Sequence, residues 1–296
     1  MPISPKTVRR ATAVSASIAA LVLALAACTP APEPSAGAST AGQAGSGLPS
    51  AHVHGLTVSG DTSQVLLATH DGLFDVRKQP ARKIGDTNDL MGFTAGKDSG
   101  VFYASGHPGE GSDLPNPLGL IKSVDGGKTW EQLSRQGVSD FHALTTTKSG
   151  IVAFDGTLWT SPTGKTKTWK SVRVDFAPAF LAGHPDTDTV LATTPRGVQR
   201  STDGGATWKL VKSSPIIMFP AFADPGDAVG VEPDGTVHLS TDGGTTWTKK
   251  GRIDGQVRCI AAVKGANGKP WIWAATTESI LVSTDGGTTF RPSDAA

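Results

Sequence analysis

Ser123–Trp130 reads SVDGGKTW, and the same octapeptide returns as STDGGATW at Ser201–Trp208, STDGGTTW at Ser240–Trp247 and STDGGTTF at Ser283–Phe290. A degenerate copy, SPTGKTKTW, fills Ser161–Trp169. Counted from Asp125 through Thr163, Asp203, Asp242 and Asp285, the steps are 38, 40, 39 and 43 residues. A repeat of about 40 residues is the length of one four-stranded propeller blade. The local chemistry agrees. Paired glycines supply the positive φ of a hairpin turn, an Asp side chain accepts from N–H groups of its own turn, and the closing aromatic packs between blades. The stretch before the first copy (HVHGLTV, QVLLATHDG, GLFDVR, ARKIGD) keeps the strand spacing without the Asp-Gly-Gly, which brings the count to six. The expectation is an all-β fold: a six-bladed β-propeller of four-stranded blades over residues 51–296. The repeat falls in the turn between the third and fourth strands, and unit 1 closes on unit 6.

This octapeptide resembles the Asp-box, or bacterial neuraminidase repeat, found in sialidases, sortilin-type receptors and photosystem assembly propellers. The HxHGL, THDGLF and GHPG segments (His52–Leu56, Thr69–Phe74, Gly106–Gly109) are similar to those of bacterial lipoproteins labelled glycosyl hydrolase or exo-sialidase-like. That resemblance implies a propeller with a site at one mouth of its channel, and glycoside hydrolysis as one activity. Sialidases hold the substrate carboxylate with three arginines and use a Tyr nucleophile assisted by Glu, with an Asp acid/base. This chain departs from that pattern. Its one tyrosine, Tyr103, sits inside the strand-like VFYAS, and no Arg-Ile-Pro segment or arginine trio is present. Another glycosidase would draw two carboxylates from Asp71, Asp89, Asp140, Glu110 and Glu232. A third class, a non-catalytic assembly or docking propeller, shares the repeat equally well.

Composition fits a turn-rich β protein: 36 Gly and 20 Pro make about a fifth of the 296 residues. Residues 1–10 carry Lys6, Arg9 and Arg10, residues 11–27 are small and apolar, and Leu25-Ala26-Ala27-Cys28 resembles a lipobox. The expectation is a lipoprotein signal peptide over 1–27, lipidation of Cys28, and an Ala/Pro/Gly/Ser tether to residue 50 that lacks the apolar content to order. The chain would then be anchored to a cell membrane through lipidated Cys28, on the extracytoplasmic face, as a monomer. Loss of the leader leaves 24 basic against 26 acidic residues. Without a basic groove or stacking aromatics, nucleic acid is not an expected partner. Only Cys259 then remains, so the core rather than a disulfide must stabilise the fold.

The first strand of a blade and the loop between its second and third strands meet at one face of the ring. Aligning the six inner strands places His54, Met91, His142, Pro178, Pro220 and Cys259 at one equivalent position. His52, Asp89, Asp140, Phe176, Met218 and Val257 stand two residues earlier. The loops add His70 and Asp71, then His107, Glu110 and Asp113, then Arg196, then Glu232. Five of the seven histidines converge, whereas His184 and His238 stay away. Imidazole with thioether suits copper, and imidazole with carboxylate suits zinc or manganese. The candidate metal ligands are His52, His54, His70, Met91, His107 and His142, with His54 and His142 in direct contact with copper or zinc and Asp71, Asp89 and Asp140 orienting imidazoles. The same mouth would equally accept a small molecule, glycan or protein. The plainer reading of the histidines is a channel filled with hydrogen-bonded water, and of Met218 and Cys259, core packing.

Overall fold

The computed structural model describes residues 48–49, 52–59, 61–78 and 80–293. The expected signal peptide, Cys28 and nearly all of the tether lie outside them. Each unit of the repeat folds as an antiparallel meander. Blade 1 is β1 (Val53–Val58), β2 (Val65–Thr69), β3 (Gly72–Asp75) and β4 (Arg82–Ile84). Blade 2 is β5 (Asp89–Ala95), β6 (Phe102–His107), β7 (Leu120–Ser123) and β8 (Glu131–Ser134). Blade 3 is β9 (Ala143–Thr146), β10 (Gly150–Phe154), β11 (Leu158–Pro162) and β12 (Lys170–Val172). Blade 4 is β13 (Phe180–Gly183), β14 (Val190–Thr194), β15 (Gly197–Ser201) and β16 (Lys209–Leu210). Blade 5 is β17 (Phe219–Phe222), β18 (Ala228–Val231), β19 (Thr236–Ser240) and β20 (Thr248–Arg252). Blade 6 is β21 (Val257–Lys264), β22 (Pro270–Thr276), β23 (Ile280–Ser283) and β24 (Arg291–Pro292). The inner strands β1, β5, β9, β13, β17 and β21 touch in sequence, and β21 returns to β1, so six blades close into a β-propeller.

The repeated octapeptide is a self-contained turn. Asp125 Oδ1 accepts from Ser123 Oγ at 2.8 Å and from the N–H groups of Lys128 and Thr129 at 3.0 Å, while Oδ2 accepts from Thr129 Oγ1 at 2.7 Å. Asp203, Asp242 and Asp285 hold their turns in the same way. Each second glycine also presses on the preceding blade. A Cβ at Gly127 would lie 2.3 Å from Leu73, at Gly205 2.9 Å from Val152, at Gly244 2.6 Å from Leu191 and at Gly287 2.8 Å from Val237. The closing aromatic joins the same seam, Trp130 against the Leu66–Leu73 cluster and Phe290 against Val229, Val231 and Val237. The box therefore rivets neighbouring blades, which occupies its carboxylate fully. In the degenerate copy no carboxylate is present, and Ser161 Oγ donates to the Lys165 carbonyl instead.

The ring closes between blades 6 and 1 through one apolar cluster. Leu56, Val58, Val65 and Leu67 meet Cys259, Ala261, Trp273 and Val282, with Trp271 at its edge. Burial pushes the Cys259 thiol strongly up, and the side chain serves as core.

The inner strands β1, β5 and β21 begin with a β-bulge, two residues facing one across the ladder. The extra residue is His54 in β1, Met91 in β5 and Arg258 in β21. In blades 3, 4 and 5 the corresponding residue stands just before the strand: His142, Ala179 and Met218 donate their N–H groups to the carbonyls of Phe154, Thr193 and Val231, the cross-strand partners of the residues that follow them. This agrees with the sequence alignment in blades 1 to 3 and corrects it in blades 4 to 6. Pro178, Pro220 and Cys259 are displaced from the equivalent position by Ala179, Met218 and Arg258. Two residues before the bulge stand His52, Asp89 and Asp140, then Ala177, Ile216 and Gln256 in place of Phe176, Met218 and Val257.

Candidate metal centre at the channel mouth

A channel of about 720 Å³ runs down the axis, with His54, Met91 and His142 in its wall at one end. At that end Val53 pairs with Thr69 and Asp89 with His107. The ladder thus brings His70, in the turn after β2, and His107, the last residue of β6, beside the starts of the inner strands. Bulging turns the extra side chain out of the alternation of the strand, so neighbouring donors gather over one opening.

Three imidazoles converge on the blade 1 side. Ligand nitrogens of His52, His54 and His70 all lie within 4.8 Å of one another, and the ring centroids are 4.5 to 5.5 Å apart. Asp89, from blade 2, stands against them. Its Oδ2 is 2.7 Å from His70 Nδ1, a hydrogen bond that leaves the Nε2 lone pair of His70 available. Its Oδ1 is 3.3 Å from His54 Nε2 but misaligned for a hydrogen bond, so both atoms are buried without a partner. Burial, opposed by Asp89 and reinforced by the neighbouring His70, His52 and His142, brings the His54 imidazole down to about 4. His54 is therefore neutral at physiological pH, the state in which imidazole binds a cation.

A second group lies one blade on. Asp140 Oδ2 is 2.7 Å from His142 Nε2 and 3.2 Å from His107 Nε2, and Asp140 Oδ1 is buried without a partner. His107 Nδ1 lies 2.7 Å from Asn116 Oδ1. That contact, with Asp140 and Asp89 adding to it against the effect of burial, raises the His107 pKa.

The structure separates the remaining candidates. Asp71 and Glu110 are exposed turn residues. Glu232 is held by His238 at 2.6 Å in blade 5, away from the five histidines. His184 lies towards the other end of the channel, where its Nδ1 accepts from the Asp186 N–H. His142, expected beside His54, is instead bonded to Asp140, and the trio forms from His52, His54 and His70. Asn116 was missed by sequence reasoning. Its only signal was its place in the long loop after His107.

The fold and its repeated turn define an Asp-box β-propeller. The BNR/Asp-box repeat family matches residues 199–210. No curated protein matches the chain. Among solved structures, the chain is similar to a GH74 xyloglucanase from Xanthomonas campestris (18% identity, TM-score 0.57, 82% of this chain and 38% of that one). It is also similar to a GH74 enzyme from Niastella koreensis (17% identity, TM-score 0.55, 82% and 37%). The WD40 repeats of RRP9 share the fold as well (11% identity, TM-score 0.50, 82% and 79%). The chain thus spans less than two fifths of the GH74 chains, and at these identities the likeness is one of fold.

Proposed function

We propose that this propeller binds a transition metal, zinc or copper, at its histidine-rich mouth, and that it does so outside the cytoplasm on a lipid anchor at Cys28. The observation that supports the reading is the convergence of the His52, His54 and His70 ring nitrogens within 4.8 Å of one another. Three imidazoles are a ligand set that zinc and copper both accept. Asp89 supplies the carboxylate partner that fixes the His70 tautomer. The donor set fits a cation for a further reason. His54 Nε2 and Asp89 Oδ1 are buried polar atoms with nothing to satisfy them, and a cation between them would remove that cost. When bound, the metal would supply Lewis acidity or a cargo to be handed on. The chain's own residues hold it, keep His54 neutral and orient His70. Glycoside hydrolysis draws less support, because Asp89 and Asp140 are each engaged by imidazole.

The test is metal content by mass spectrometry on the full chain, purified without a histidine tag, after loading with zinc, copper or manganese and exhaustive dialysis. The expected result is near-stoichiometric zinc or copper in the wild type and its loss from the first set in His54→Ala/His70→Ala. A wild type that retains no metal overturns the reading.

A further inference from the structure

The two histidine-carboxylate groups are related by one step of the propeller. His70 and His107 occupy equivalent places, opposite His52 in blade 1 and opposite Asp89 in blade 2. Each reaches the carboxylate that opens the next inner strand, His70 to Asp89 at 2.7 Å and His107 to Asp140 at 3.2 Å. The series ends there. The equivalent of His70 and His107 in blade 3 is Gly156, and the equivalent of Asp140 in blade 4 is Ala177.

We propose that the mouth binds two divalent cations, the second held by His107, Asp140 and His142 and separated from the first by Asp89. The inference rests on the metal-binding reading above and sets its stoichiometry. Three observations carry it. First, Asp140 Oδ1 is a buried carboxylate oxygen with no hydrogen-bond partner, a vacancy in bonding that protein structures rarely tolerate. Second, two imidazole nitrogens converge on the other oxygen of the same carboxylate, His142 Nε2 at 2.7 Å and His107 Nε2 at 3.2 Å from Asp140 Oδ2. Third, the His107 to Asp140 spacing matches. Bonds of about 2.0 Å in a tetrahedral zinc site put neighbouring ligand atoms about 3.3 Å apart, against 3.2 Å for His107 to Asp140, while Asp140 and His142 stand closer, at 2.7 Å. The second set replaces one imidazole by carboxylate oxygen. It therefore takes a borderline or harder cation such as zinc, whereas the all-imidazole first set also accepts copper.

Zinc stoichiometry and cobalt titration followed by visible absorption, both on the full untagged chain, test this. Expected are two zinc ions per wild-type chain and two breaks in the cobalt titration, one zinc in His107→Ala, one in Asp140→Asn, and one in His54→Ala/His70→Ala. The His107 side chain is half-buried at the rim of the mouth, so His107→Gln serves as a second variant of unchanged fold, checked by circular dichroism. A wild type with one zinc that survives His107→Ala overturns the second site and leaves the first standing. One zinc that is lost in His107→Ala but survives in His54→Ala/His70→Ala overturns both the first site and the pairing. No retained zinc overturns both proposals.

Discussion

Gly106→Ala tests whether the site and the fold share one backbone contact. Gly106 pairs with Leu90 in the ladder and precedes His107; its φ is +145°. A Cβ there would sit 1.9 Å from the Asp89 carbonyl oxygen and 2.9 Å from the Met91 nitrogen. Two costs combine. A residue with a side chain in this glycine-only region costs about 1–3 kcal/mol, and overpacking against backbone that cannot rotate away costs about 1–3 kcal/mol more. The expected destabilisation is about 2–6 kcal/mol. Gly111→Ala is the control, since Gly111 has a φ of +76° with nothing within 4 Å of the added carbon. It carries the left-handed penalty alone, about 1 kcal/mol. Urea unfolding of both variants, read at a common slope, should separate them by at least about 1 kcal/mol. The clash pushes on the residue that stands between both histidine groups, so zinc retention should fall in Gly106→Ala and not in Gly111→Ala. A Gly106→Ala midpoint within about 1 kcal/mol of the Gly111→Ala value would refute the reasoning.

In the absence of metal, stability should fall in two stages on acidification. His54 has a folded value near 4 against 6.5 unfolded, so the unfolded chain takes up the proton first and stability drops as pH falls from about 6.5 to 4. The boxes act lower. Asp125, through its bonds from Thr129, is held near 2, and Asp242 and Asp285 reach about 2 because hydrogen bonds from Thr246 and Thr289 outweigh burial. Their contribution is complete above about 3.8 and is lost between there and 2, which an acid-unfolding series by circular dichroism would trace. Asp242→Ala removes the acceptor for Ser240, Thr245 and Thr246 and should cost about 2 kcal/mol, discounted from the sum of its bonds because the turn is exposed and rehydrates; a loss under about 0.5 kcal/mol would remove the rivet role. Cys259 should resist alkylation in the folded protein and react fully in denaturant, since its thiol is buried and shifted strongly up.

The fold was legible because the Asp-box is local chemistry. Its hydrogen bonds span four residues or fewer, so the motif and the period report each turn without knowledge of what packs on it. The register of the inner strands was only half legible. In blades 1 to 3 a small residue follows the bulge, Gly55, Gly92 or Ala143, and the patterns HGL, MGF and HAL align correctly. In blades 4 and 5 the identical tripeptide Pro-Ala-Phe misleads, because Phe180 is equivalent to Phe219 and the two copies are offset by three residues. The Phe180 and Phe219 rings, 5.2 Å apart, pack on each other, a non-local preference that no tripeptide reveals. The pairing of Glu232 with His238 was hidden for a related reason: it joins two residues across the turn into β19, and neither belongs to the repeat.

Repetition itself separates what the fold needs from what it carries. The bulge position accepts Met91, Ala179, Met218 and Arg258 on the same backbone, so histidine there is not a requirement of folding. His54 is also expensive where it stands. Its imidazole is about nine-tenths buried, its Nε2 has no hydrogen-bond partner, and burial lowers its basicity. Removing an unsatisfied buried polar group is worth about 1–3 kcal/mol, and filling the space with a flexible side chain of similar size costs less than about 1.5 kcal/mol. His54→Met, which copies the Met91 solution into blade 1, should therefore leave the metal-free propeller as stable as the wild type or up to about 1 kcal/mol more so, while lowering zinc retention. Such an exchange of stability for a site is what a functional residue on a repeated scaffold should show. A loss above about 1 kcal/mol in His54→Met, measured without metal, would make His54 a packing residue and remove the physical case for the centre at its deepest ligand.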